Sequence, residues 1–240
     1  MPENLVLLHG FSGTHRAWDG VIAALDPQRY RPLAIDLPGH GAAAVEGSQI
    51  TFDSCVATVL DQSPDRFALC GYSMGGRIAL HVALAAPERV TRLVLVSSSA
   101  GIEDPGERAE RRIADVRLAD ELEAIPFEDF IERWRTQPLF AGEPPEVGLL
   151  ARADQRRNRA DALVLALRGI GTGQMEPLWG RLADLPMPLT VIAGEDDAKF
   201  CTLGARMAEL ARDGEMILID GGHGLPLERP WAIAGVLNRP

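Results

Sequence analysis

The sequence predicts an α/β protein, a mostly parallel, doubly wound sheet of about six strands interrupted by a single helical insertion. Three observations carry that expectation. Short apolar runs alternate with segments of helical spacing and are joined by turns dense in Gly and Pro, the rhythm of strand–helix–strand units. One run, Leu93-Val-Leu-Val96, is apolar without interruption, as a central strand covered on both faces must be. From Ile102 to Asp184 strand character disappears over about 80 residues, far more than a crossover requires. The chain therefore divides into a first part of the core (1–101), a helical insertion read as a lid over the strand ends (102–184), and a second part of the core (185–240).

Taken in order, Leu5 to Leu8 is the first strand and runs into the glycine-rich turn His9-Gly-Phe-Ser-Gly13. Trp18 to Leu25 is apolar at helical spacing. Arg31 to Ile35 is the second strand and ends in a second turn, Asp36-Leu-Pro-Gly-His-Gly41. Phe52 to Leu60 is a helix that Thr51 or Asp53 is placed to cap. Phe67 to Cys70 is the third strand, and Ile78, Leu80, Val82 and Leu84 among alanines mark a buried helix after it. Val90 to Val96 is the fourth strand. Within the insertion, Phe127 to Trp134 and Ala162 to Leu167 are helical. Strands resume at Leu189-Thr-Val-Ile-Ala193 and Met216-Ile-Leu-Ile219.

With 240 residues, 46% of them hydrophobic, the chain suits one domain with a substantial core. Its net charge of −10 argues against a general nucleic-acid binder. Cys55, Cys70 and Cys201 show no metal-ligand spacing and point to a reduced cytoplasmic setting. No signal peptide or long apolar span is evident, so membrane insertion is not expected. No nucleotide-binding glycine pattern or metal motif occurs, so no cofactor is expected. The 24 basic residues are 23 arginines and Lys199, so arginine abundance says nothing by itself and each is weighed by position.

Between the third strand and its helix lies Gly71-Tyr-Ser-Met-Gly75, the spacing of a nucleophile elbow. A serine on so sharp a turn is held in a strained conformation, and small residues two places either side make room for it. Ser73 then needs a base and an orienting carboxylate. Of five histidines, His81 lies inside the helix, His40 in a Pro-Gly turn, and His9 and His15 flank the first glycine turn. His223 stands alone in Gly221-Gly-His-Gly224, beyond the last strand, and is the candidate base. After the preceding strand, Gly194-Glu-Asp-Asp197 offers three acids, of which the Gly–any–any–Asp spacing favours Asp197. Met74 N–H, next to the nucleophile, and Phe11 N–H, in the first glycine turn, are the candidate oxyanion donors.

These segments, His9-Gly-Phe11, Asp36-Leu-Pro-Gly-His-Gly41, Gly71-Tyr-Ser-Met-Gly-Gly-Arg77 and Gly222-His223, resemble the α/β-hydrolase superfamily. Finer features narrow the likeness: Arg108-Ala-Glu-Arg111, Trp134 with Gln137-Pro-Leu-Phe140, Leu167-Arg-Gly-Ile-Gly-Thr-Gly173, and Gly194-Glu-Asp-Asp-Ala-Lys-Phe200. With these the chain resembles, over nearly its whole length, the 2-succinyl-6-hydroxy-2,4-cyclohexadiene-1-carboxylate synthases of menaquinone biosynthesis. Relatives commonly carry a histidine where Pro226 stands, which implies altered loop geometry rather than lost chemistry. The antiparallel hairpin that leads many α/β-hydrolases has no counterpart before Leu5, which leaves about six parallel strands.

The resemblance implies an α/β-hydrolase fold and a lyase that releases pyruvate from a small polyanionic substrate. Ser73, with Asp197 and His223 behind it, would abstract the proton beside the succinyl ketone. Arg77 and Arg111 would meet carboxylates, with a third arginine placed at Arg156 within Gln155-Arg-Arg-Asn158. Tyr72 and Trp134 would wall the cavity, and Lys199 would stand beside Asp197. The plainer alternatives are a surface helix arginine for Arg77 and core packing for Trp134. Two rival functions stay open: a carboxylesterase or carbon–carbon bond hydrolase, and a ligand-binding homologue without turnover. Oligomeric state, monomer or homodimer, is also open.

Overall fold

The computed structural model describes residues 2–43 and 49–239. Its strands are β1 (Glu3–Leu8), β2 (Tyr30–Ile35), β3 (Phe67–Tyr72), β4 (Val90–Val96), β5 (Leu189–Gly194) and β6 (Gly214–Ile219). They form a single sheet in the order β2-β1-β3-β4-β5-β6, with every neighbouring pair parallel. The helices are α1 (Asp19–Ala24), α2 (Phe52–Gln62), α3 (Met74–Ala85), α4 (Pro105–Ala124), α5 (Phe127–Arg135), α6 (Pro145–Gln155), α7 (Ala160–Ile170), α8 (Ala198–Leu210), α9 (Leu225–Glu228) and α10 (Pro230–Leu237).

The inner strands β1, β3, β4 and β5 are covered on both faces, which is why they read as nearly continuous apolar runs. The edge strands β2 and β6 are largely open to solvent. Along β1 the side chains alternate: Leu5 and Leu7 join a layer with Trp18, Val21, Ile233 and Leu237 of the α1 and α10 side. Val6 and Leu8 join the opposite layer with Ile78, Leu80, Val82 and Met207 of α3 and α8. All four are fully buried, each contributing about 1.5–3 kcal/mol of apolar burial. Thr51 rather than Asp53 caps α2, in a reciprocal box with Ser54: each side chain accepts the other's backbone N–H, at 3.0 and 2.9 Å. The expected helix from Trp18 is split, because a 3-10 turn over His15–Trp18 precedes α1.

Between β4 and β5 the chain carries α4 to α7 and short 3-10 turns. These helices have an apolar core of their own, built from Ala119, Leu122, Phe130, Leu163, Val164 and Leu167. Phe11 of the β1 turn and Trp134 of α5 pack against that core. Among the described residues no helix is long and apolar enough to cross a membrane.

Candidate active site

Strand order reverses at β1, whose chain neighbour β2 lies on one side and whose next strand β3 lies on the other. The crevice at the carboxyl ends of β1 and β3 is where open parallel sheets place ligands. Ser73 sits there, in the one-residue step from β3 to α3, with φ 53° and ψ −111°. Such a conformation in a residue with a side chain costs about 1–3 kcal/mol and persists only where surroundings impose it. Here Ser98 Oγ donates to Ser73 O at 2.9 Å, and Ser73 N donates to Val96 O at 2.9 Å. Gly75 is required by a close approach, since a Cβ there would run into the backbone oxygens of Leu8 and His9.

The loops after β5 and β6 bring the partners. His223 Nδ1 donates to Asp197 Oδ2 at 2.7 Å. Its Nε2 is thereby left with a lone pair, which faces Ser73 Oγ at 3.1 Å. His223 is 2% exposed, walled by Phe200, Tyr72 and Phe140 with ring centroids at 4.7, 5.5 and 6.4 Å. Glu228 holds the histidine loop, accepting Gly222 N–H at 2.9 Å and Gly224 N–H at 3.0 Å. Pro226 lies in the first turn of α9, immediately behind.

The backbone N–H groups of Phe11 and Met74 have no acceptor among the described residues. Both residues line the cavity that Ser73 and His223 share. The Phe11 turn is fixed from two sides. His9, fully buried, accepts Leu37 N–H at Nε2 (3.0 Å), so its Nδ1 carries the proton donated to Gly10 O at 2.8 Å. Burial lowers its pKa and keeps the ring neutral. From the other side, Gln155 Nε2 donates to Ser12 Oγ (2.8 Å) and Asn158 Nδ2 to Ser12 O (2.7 Å). Asp154 Oδ2 accepts Thr14 N–H at 2.8 Å.

Arg77 lies within the buried length of α3, 8% exposed, and lines the cavity with Ser73. Its Nη1 donates to Ile170 O at 3.0 Å, and among the described residues it forms no ion pair with a carboxylate. Burial, with Arg111 beside it, lowers its pKa to about 10. Arg111 enters from α4, its Nε 2.7 Å from Asp115 Oδ1. Lys199, at the start of α8, lines the same cavity. Cavity volumes are about 440 Å³ in the outer chamber and 130 Å³ in the inner one. Trp134 walls the inner chamber, its ring 5.0 Å from Phe11. Tyr72 faces a smaller adjoining space with Phe11, Trp134 and Phe140, its hydroxyl pKa pushed up by burial.

Arg156 is a correction. It follows α6, lines neither chamber, and pairs in solvent with Glu128. The helix turn aims its predecessor Gln155 inward instead, at Ser12. Asp115, Ser98, Phe140 and Phe200 were not singled out as functional from sequence. Of these, Asp115 has a local signal in its i,i+4 spacing from Arg111, Phe140 and Phe200 lie in segments that carry the family resemblance, and Ser98 has none. Among the described residues no three His, Cys, Asp or Glu side chains gather to hold a metal ion.

The alpha/beta hydrolase family profile matches residues 5–234. The chain is 34% identical to 2-succinyl-6-hydroxy-2,4-cyclohexadiene-1-carboxylate synthase of Enterobacter sp. (strain 638), over 97% of this chain and 89% of that one. It is 31% identical to the synthase of the same name from Salmonella schwarzengrund (strain CVM19633), over 98% and 91%. Among solved structures, MenH from S. aureus superposes with a TM-score of 0.92 at 33% identity, covering 98% of this chain and 91% of that one. Matches of this extent run through the helical segment as well as the sheet, so the likeness is not confined to the elbow that many hydrolases share. The chain belongs to the 2-succinyl-6-hydroxy-2,4-cyclohexadiene-1-carboxylate synthase family, within the α/β hydrolases.

Proposed function

We propose that the protein is a carbon–oxygen lyase of menaquinone biosynthesis. It eliminates pyruvate from 2-succinyl-5-enolpyruvyl-6-hydroxy-3-cyclohexene-1-carboxylate to give 2-succinyl-6-hydroxy-2,4-cyclohexadiene-1-carboxylate. The observation that carries this reading is Arg77, a buried guanidinium facing the Ser73 cavity without a carboxylate partner among the described residues. A buried, unpaired cation is costly unless a ligand supplies the counter-charge. With Arg111 and Lys199 it suits a polyanion, whereas a simple ester offers it nothing.

The reaction is a 1,4-elimination, since a 3-ene becomes a 2,4-diene. Ser73 Oγ takes the proton from C2, beside the succinyl ketone, as its own proton passes to His223 Nε2. Asp197 stabilises the imidazolium that forms. Charge developing on the ketone oxygen is received by the Phe11 and Met74 N–H groups. The enolate then collapses through the C2=C3 and C4=C5 diene and breaks the C5–O bond. The departing enolate takes the proton from His223, which returns to neutral imidazole, and ketonises to pyruvate; Ser73 already holds the proton from C2, so the triad is restored. The helices between residues 102 and 184 act as a lid that keeps water from the cavity. The free thiols of Cys55, Cys70 and Cys201 support action in the reducing cytoplasm.

Pyruvate release from freshly generated substrate, followed by coupled NADH oxidation, tests the reading. Release far above the spontaneous rate, abolished in Ser73→Ala and reduced at least about 100-fold in kcat/KM in Arg77→Ala, is expected. No acceleration by the wild-type protein would overturn it, and rapid turnover of aryl esters instead would install the esterase.

A further inference from the structure

The outer chamber above Ser73 opens between the start of α4 and the outer face of α8. Lys199, Leu203 and Arg206 stand at i, i+4 and i+7 on α8, one face of the helix, and all three line the chamber. At 1.5 Å per residue, Arg206 lies about 10 Å further out than Lys199. Its guanidinium is 4.2 Å from the centroid of the Trp179 ring. Trp179 is itself buried and held by its Nε1, which donates to Gly101 O at 2.9 Å. Stacking fixes the plane of the guanidinium and leaves its edge free. That edge is taken by Glu103: Nη1 donates to Oε2 at 2.5 Å and Nη2 to Oε1 at 3.1 Å. The fork thus already holds a carboxylate bidentately.

Acids at the mouth of a cavity lined by cations need a reason. Asp104 caps α4, accepting Glu107 N–H at 2.8 Å, and Glu107 lies in the first turn of that helix, where negative charge is favourable. The Glu103 side chain has no such task; among the described residues it bonds Arg206 alone. The pair is half exposed on both sides, 48% and 49%, so water competes with it and little holds it closed.

We propose that Arg206 is a substrate-contacting residue that Glu103 occupies in the free protein. On binding, Arg206 passes its fork from Glu103 to the outermost carboxylate of a polycarboxylate whose other acids meet Arg77 and Arg111. No bond to carbon is made or broken; one carboxylate replaces another on a pre-oriented guanidinium. This inference rests on the function proposed above for its ligand class.

The test is calorimetric titration of 2-succinyl-5-enolpyruvyl-6-hydroxy-3-cyclohexene-1-carboxylate into Ser73→Ala protein, so that binding is read without turnover. Adding Arg206→Ala should weaken Kd about fivefold, and Arg206→Lys should give an intermediate loss, because a lysine keeps the charge but not the fork. Adding Glu103→Gln alone should tighten Kd about twofold, since Arg206 is released. In the Glu103→Gln background, Arg206→Ala should still weaken binding. If the arginine effect disappears in that background, Arg206 merely neutralises Glu103 and the proposal falls. It also falls if Glu103→Gln weakens binding as much as Arg206→Ala, which would make the pair a structural latch. Absence of binding, or indifference to Arg206→Ala, overturns it as well. Pyruvate release by the wild-type protein is scored separately, so a failed lyase reading and a failed Arg206 assignment give different results.

Discussion

The Asp115 carboxylate, 2% exposed, spans Arg111 and Gly173: Oδ1 lies 2.7 Å from Arg111 Nε, one turn back on α4, and Oδ2 accepts Gly173 N–H at 2.9 Å. One acid thereby orients a cavity arginine and pins the loop after α7 that forms part of the same wall. Asp115→Asn keeps the shape and removes the charge. It should raise KM about tenfold with kcat little changed. In a cycle with Arg111→Ala the two losses should not add. Additive losses in steady-state kinetics would show that Asp115 acts elsewhere.

Gly75→Ala places a methyl group against the carbonyl oxygens at the end of β1. Neither neighbour can yield, because both are backbone. The elbow and the Phe11 turn should be forced apart, with a loss above about 2 kcal/mol in urea unfolding and of most activity. Gly180→Ala, where a Cβ meets nothing within 4 Å, is the control that should leave both unchanged.

Arg156→Ala should leave KM and melting temperature where they are, because that arginine pairs with Glu128 in solvent. Gln155→Ala removes the donor to Ser12 Oγ, 2.8 Å away in a buried setting. It should lower kcat about tenfold by loosening the turn that presents Phe11 N–H. A rise in KM from Arg156→Ala alone would reverse this ranking.

Burial holds His40 at a pKa of about 3 and His81 at about 4. Both lie below the usual histidine value, so in the unfolded chain each binds a proton that the folded protein refuses. Their contribution to stability is complete above pH ~6.5 and is lost as pH falls toward those values. Each adds a slope of up to about 1.4 kcal/mol per pH unit in that window. Urea unfolding between pH 4.5 and 7 should show the decline, and His81→Gln should flatten it. An unchanged slope in that variant would remove His81 from the account.

What could be read from sequence was what depends on near neighbours in the chain. Apolar runs located the four inner strands, since a strand covered on both faces must be apolar along its length. The half-exposed edge strands β2 and β6 were legible from their shorter runs and the turns after them. Glycines beside Ser73 located the elbow, because only a residue without Cβ fits under Leu8 and His9. Position after a strand singled out Asp197 and His223, which the sheet then brings within 2.7 Å of each other. Arg156 and Gln155 mark where that reading ends. They are adjacent in the chain, and only the direction in which the end of α6 faces the Ser12 turn decided which one points inward. The same holds for Arg206, ordinary in sequence among 23 arginines, until folding sets it between Trp179 and Glu103 at the cavity mouth. Elements and motifs were determined by local spacing; the partners of each buried or cavity-facing charge were decided by tertiary structure, because desolvation and pairing depend on groups that only the fold brings together.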